Sequence, residues 1–144
     1  MSQHNYSIDP DITQAETLPA SFYQDRHIFD LIKEKVFYKS WQWIGDEDLV
    51  KLPKYVHPMI LLDGYLTEPI VLSKNEEGRI NCLSNVCTHR GNLVCQHAGS
   101  QRKLICMYHG RKFGLDGSFE SMPEFKDAKN FPRDCEDLHR FVTA

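Results

Sequence analysis

Cys87-Thr88-His89-Arg90-Gly91 and Cys106-Met107-Tyr108-His109-Gly110 are the two stretches from which the rest of this chain is read. Each offers one thiol and one imidazole, as C-x-H in the first and C-x-x-H in the second, and each closes on glycine. Sixteen residues separate His89 from Cys106. Two Cys and two His are the ligand set of a mixed-ligand [2Fe–2S] cluster, with the thiolates on one iron and the imidazoles on the other. Exchanging two anionic ligands for two neutral ones makes such a cluster easier to reduce than one held by four Cys. Cys87, His89, Cys106 and His109 are therefore the candidate cofactor and metal ligands, for one cluster per chain. Glycine lets the backbone turn sharply and lets its N–H approach cluster sulfur. Two hairpin tips facing each other would each contribute one Cys and one His.

Two other readings compete. Cys95-Gln96-His97 is also C-x-H, but Ala98 stands where the glycine would be, so Cys95 and His97 are assigned to the connection between the loops. Zinc accepts a Cys2His2 set, yet structural zinc sites usually pair their Cys at C-x2–4-C, whereas each loop here mixes the two residue types. His4, His27, His57 and His139 show no ligand spacing. Glu136-Asp137-Leu138-His139 brings carboxylates near an imidazole, but an iron site of that type needs two His and a carboxylate on one face. The segment reads as solvated chain. Cys82, Cys95 and Cys135 are expected to be reduced, buried or half-buried thiols.

At 144 residues the chain fits one domain with an appendage. Hydrophobic residues make up 41% and charged residues 26%, the usual balance for a soluble globular protein. A net charge of −3 gives no electrostatic case for nucleic acid. No apolar run approaches the roughly 18 residues of a membrane helix, and the first twenty residues lack the apolar centre of a secretory signal. The expected location is the cytoplasm.

Residues 1–20 read as a loose arm punctuated by Pro10 and Pro19. Residues 25–40 read as an amphipathic helix, with Ile28, Ile32 and Val36 at i+4 spacing and Asp25 at its start. From about residue 50 the pattern changes to short apolar runs, at 57–62, 69–73, 79–83, 104–107 and 112–115. They are separated by the turn signals Asp63-Gly64, Asn75 to Gly78 and Asp116-Gly117. Many short strands with regular turns predict an antiparallel β sandwich or barrel. The division expected is an arm and helix over 1–45 and a β domain over 46–144.

CTHRG and CMYHG resemble the C-x-H-R-G and C-x-Y-H-G motifs of the Rieske [2Fe–2S] domain of ring-hydroxylating oxygenase α subunits. The surrounding SNVCTHRGN and FGLDGSF…MP, and the helical VFYKSWQWIGDEDLV, are similar to the same family over most of the chain. The resemblance implies a mainly β, Rieske-type antiparallel sandwich with two cluster-binding hairpin loops, preceded by an N-terminal α-helix. It implies an oxidoreductase whose cluster takes electrons from a reductase or ferredoxin and passes them to a mononuclear iron, where O2 is activated. In that family the iron lies in a C-terminal catalytic domain, often reached across the subunit interface of a homotrimer. That domain is absent from these residues, so the chain is expected to be the Rieske part alone. The alternative is a stand-alone Rieske ferredoxin, which usually lacks the preceding helix.

Two departures from the family pattern stand out. Arg111 occupies the position after the second-loop glycine where Trp is usual, and Pro53-Lys54-Tyr55 replaces a turn that often contains glycine. High-potential respiratory Rieske proteins carry an extra Cys in each loop and hydroxyl donors after the second. Asn92, Tyr108, Arg111 and Phe113 stand at those positions here, so the resemblance implies a low potential, near ~−150 mV. Arg90 and Tyr108 are candidates for contact with the ligands.

Overall fold

The computed structural model describes residues 6–125 and 127–144; residues 1–5, and with them His4, lie outside the described residues. The chain divides into two compact units, Met1–Trp43 and Ile44–Ala144.

In the first unit, Pro19 leads into a short helix, α1 (Ala20–Gln24), and Asp25 then breaks it by taking an extended conformation. The Asp25 carboxylate accepts from the His27 backbone N–H at 2.8 Å and so caps a second helix, α2 (Arg26–Lys35). The helix expected over 25–40 is thus shorter. β-Branched Val36 is the C-cap, its N–H still donating to the Ile32 carbonyl but its φ stretched to −112°, and Phe37–Lys39 tighten into a 3-10 turn. Nor is the arm wholly loose. The Asp11 carbonyl accepts from Gln14 and Ala15, and the Tyr6 ring meets Phe22 edge-on at 5.1 Å.

Among its described residues the second unit has eight strands: β1 (Tyr55–Leu61), β2 (Glu68–Lys74), β3 (Ile80–Ser84), β4 (Gly99–Ser100), β5 (Leu104–Ile105), β6 (Lys112–Phe113), β7 (Phe119–Ser121) and β8 (Arg140–Phe141). One sheet has the order β4-β1-β2-β3-β8 and the other β5-β6-β7, all pairs antiparallel. The runs at 57–62, 69–73 and 79–83 become the central strands, joined at Asp63-Gly64 and Asn75–Gly78. In the second of these turns the Asn75 side chain accepts from the Arg79 N–H at 2.8 Å. β5 and β6 are shorter than the runs that suggested them, because the chain leaves the sheet for the Cys106 loop. β4, β7 and β8 lack a long apolar run, and only pairing identifies them.

β2 is buried on both faces, which its continuous Pro-Ile-Val-Leu run permits. Ile70 and Leu72 pack with Val50 and Cys82 on one side. Val71 faces the other core, with Val56, Leu83, Leu104, Phe113, Leu115 and Leu138. Each side chain of this size, fully buried, contributes about 1.5–3 kcal/mol. Cys87, Cys95 and Cys106 belong to this second core, so the loops rest directly on its floor. Ser73, buried in β2, donates to the Leu115 carbonyl and satisfies the one polar side chain on that strand face.

Candidate metal centre between two hairpin loops

The two loops fold alike. In the first, the Gly91 N–H donates to the Cys87 carbonyl at 3.0 Å and the Cys87 N–H to the Asn92 carbonyl at 2.8 Å. In the second, Gly110 donates to Cys106 at 2.9 Å and Cys106 to Arg111 at 2.9 Å. Cysteine and glycine are four residues apart in each, and the turn closes only if the glycine is left-handed. Gly91 has φ +70° and Gly110 φ +72°. The bridge Val86–Leu93 closes the neck of the first loop, and the β5–β6 pair closes that of the second.

This geometry sorts the four candidates into two pairs. Cys87 and Cys106 are 3% and 2% exposed and lie within hydrogen-bonding reach of each other on the core floor. His89 and His109 are half-buried at the tips, with ring centroids 4.8 Å apart. No three His, Cys, Asp or Glu side chains among the described residues are grouped to hold a single ion. A tetrahedral zinc site needs four donors on one point. A [2Fe–2S] cluster asks each iron for only two, its sulfides supplying the rest.

The protonation states suit ligation. Burial, then the neighbouring His109 and the charges of Arg90 and Arg111, hold the His89 imidazole below its usual range and keep it neutral. Burial pushes the Cys87 thiol up, so loading a metal there releases a proton. His109 Nδ1 is buried with no hydrogen-bond partner among the described residues, an atom of the kind that a metal satisfies. Asn92 Nδ2 lies 3.8 Å from Cys106 Sγ. The Tyr108 ring is tilted against His109 at 3.9 Å and is itself 58% exposed. Arg90 is exposed and acts on His89 by its charge alone.

Behind the loops lies a feature the sequence reading missed. Arg111 is 2% exposed, its guanidinium 4.8 Å from the Phe119 ring centroid and within reach of Phe113 and Phe131. It pairs with Glu136, itself 3% exposed, which also accepts from Arg133 Nε at 2.8 Å. Burial alone would push the Glu136 carboxyl up, but the hydrogen bonds of Arg133 and Arg111 outweigh it and hold the group below the usual carboxylate range. The segment 136–139 is therefore not plain solvated chain: Glu136 and Leu138 are buried, while Asp137 and His139 remain exposed. The signal was Arg111 itself, since a cation beside a core strand demands a buried counter-charge. A cavity of about 480 Å³ opens beside His89, lined among others by Thr88, Phe125, Phe131 and Arg133.

The competing loop falls elsewhere. His97 is exposed, and its carbonyl accepts from the Cys95 thiol at 3.3 Å, turning Cys95 into the core. Cys82 is buried and pushed up to about 11 by burial. Cys135 departs from the expectation and is exposed, because it sits on the outer side of the 3-10 turn that buries Glu136. His27 is exposed and His57 half-buried in β1.

Residues 40–132 match the model of the Rieske [2Fe–2S] domain. The chain is 32% identical over 128 residues to the chloroplastic choline monooxygenase of Spinacia oleracea, covering 87% of this chain and 28% of that protein. It is 33% identical over 136 residues to the carnitine monooxygenase oxygenase subunit of Escherichia coli K12, covering 93% and 34%. The crystal structure of the quaternary ammonium Rieske monooxygenase CntA superposes with a TM-score of 0.78 at 25% identity, over 89% of this chain and 35% of that one. The chain thus spans about a third or less of the length of these relatives. The family match takes in both loops and the strands that carry them, and on it the chain belongs to the Rieske [2Fe–2S] domain family, whose cofactor is a [2Fe–2S] cluster.

Proposed function

We propose that this chain is the electron-carrying part of a Rieske oxygenase, with Cys87 and Cys106 on the inner iron of the cluster and His89 and His109 on the outer iron. The observation that carries this reading is the sorting of donors, two thiols on the core floor and two imidazoles meeting 4.8 Å apart at the tips. Bound there, the cluster supplies storage and release of a single electron. The chain's own part is to hold and insulate it. The thiols give up their protons on loading. His89 is already neutral, and Gly91 and Gly110 fold the tips inward. Exposed Met107 and Tyr108 beside the imidazoles mark the side on which an electron partner docks.

In this proposal the donor is a reductase or ferredoxin and the acceptor a mononuclear iron in the catalytic domain of a larger, cytoplasmic, homotrimeric protein. The support is that the relatives are oxygenases or their subunits, of which this chain spans 28% to 35%. Among the described residues no helix is long and apolar enough to cross a membrane. The similarity to choline and carnitine monooxygenases further suggests a quaternary ammonium substrate for that larger protein.

The test is an EPR spectrum of the dithionite-reduced chain, purified without oxygen, with iron and sulfide counted on the same sample. A rhombic signal with average g below the free-electron value, with two iron and two sulfide per chain, is the expected result. Zinc in place of iron, with no signal, overturns the assignment. A full-length protein that leaves choline and carnitine untouched in reductase-coupled turnover overturns the substrate.

A further inference from the structure

One residue outside both loops holds each of them. Thr88, between Cys87 and His89, donates from Oγ1 to the Glu136 carbonyl at 2.7 Å. The Glu136 carboxylate pairs with Arg111, the residue after Gly110, whose own carbonyl receives the Cys106 N–H at 2.9 Å. Glu136 therefore reaches the first loop through its main chain and the second through its side chain. Its position is itself fixed, because Arg133 holds the other carboxylate oxygen at 2.8 Å and the Leu138 N–H donates to the Gly117 carbonyl at 2.9 Å. The guanidinium is equally constrained by the aromatic rings around it, so neither charge can turn to solvent without unpacking the core.

We propose that Glu136 is a positioning residue for the metal centre: by tying Thr88 and Arg111 to one point it sets the separation of the two loops, and hence of His89 and His109, while cancelling a buried cation behind them. This rests on the ligand assignment above. The brace has a mechanical part, carried by Thr88, and an electrostatic part, carried by the Arg111–Glu136 pair. An uncompensated Arg111 would favour the more negative, reduced cluster.

The two parts separate experimentally in the cluster-loaded chain. Glu136→Gln should raise the reduced-to-oxidised ratio at a fixed potential by about threefold or more. Arg111→Met combined with Glu136→Gln should return that ratio to the wild-type value. Thr88→Val removes the tie without altering charge. It should broaden the hyperfine couplings of the two imidazole nitrogens in pulsed EPR and leave the ratio unchanged. Circular dichroism on each variant reports folding, and Thr88→Val keeps the test decisive if Glu136→Gln does not fold. Wild-type couplings in Thr88→Val, or an unchanged ratio in folded Glu136→Gln, overturn the brace while leaving the ligand assignment in place. A wild-type chain that takes up no iron–sulfur cluster overturns both.

Discussion

Asn92 touches both cysteines: its carbonyl receives the Cys87 N–H at 2.8 Å, and its Nδ2 lies 3.8 Å from Cys106 Sγ. A residue of the first loop thus places a donor on the thiol of the second. Donors to cluster sulfur stabilise the reduced state, where sulfur carries more negative charge. Asn92→Ala should lower the midpoint potential by ~40 mV, from about 1 kcal/mol for a net hydrogen bond and one electron. Square-wave voltammetry of the loaded chain measures it, and an upward shift would contradict the assignment of the donor.

The absolute potential should lie near ~−150 mV, at the bottom of the range for His-ligated clusters. Arg111 alone would argue for a higher value, but Glu136 neutralises it within the same buried pocket. A voltammetric midpoint above about +100 mV is incompatible with this reading.

His109 and His97 should behave oppositely. Among the described residues His109 Nδ1 is buried without a hydrogen-bond partner, whereas His97 is exposed and its carbonyl accepts from Cys95. His109→Ala should abolish the mixed-ligand EPR signal, and His97→Ala should leave it intact. The reverse pattern would mean that the first loop had been misassigned.

Stability should fall in acid through Glu136. Its folded pKa lies below its unfolded value, so its contribution is present above the unfolded value and lost as pH falls through the folded one. The loss starts as pH drops past the ordinary glutamate value of 4.5 and continues below it. At neutral pH the cluster-free Glu136→Gln variant should melt below wild type, because Arg111 is left buried without its counter-charge. As pH falls through the folded value the two should converge, because the wild-type carboxyl protonates there. A gap in melting temperature that does not change between these limits would remove Glu136 from the acid response.

Gly117→Ala should destabilise the fold by more than ~1 kcal/mol, read from a urea titration. Gly117 has φ +86°, and a Cβ there would stand 2.8 Å from Leu83 Cδ2, a side chain with no exposure in the core beneath the loops. Wild-type stability in this variant would show that the Asp116-Gly117 turn relaxes freely.

The sequence by itself determined the candidate donors and the class of strand architecture. Cys87, His89, Cys106 and His109 are legible because metal chemistry restricts residue type and spacing within a short loop, and the two glycines because the turns need a left-handed residue. β1, β2 and β3 are legible because burial demands unbroken apolar runs between turn residues. Other features were decided only in three dimensions. The two-residue strands β4 and β8 and the burial of Glu136 depend on partners far along the chain. Whether Glu136-Asp137-Leu138-His139 is solvated or buried cannot be read from four residues whose local pattern fits either. The tertiary fold decides it, by bringing Arg111 within reach of Glu136 in an apolar cage where neither charge is stable alone.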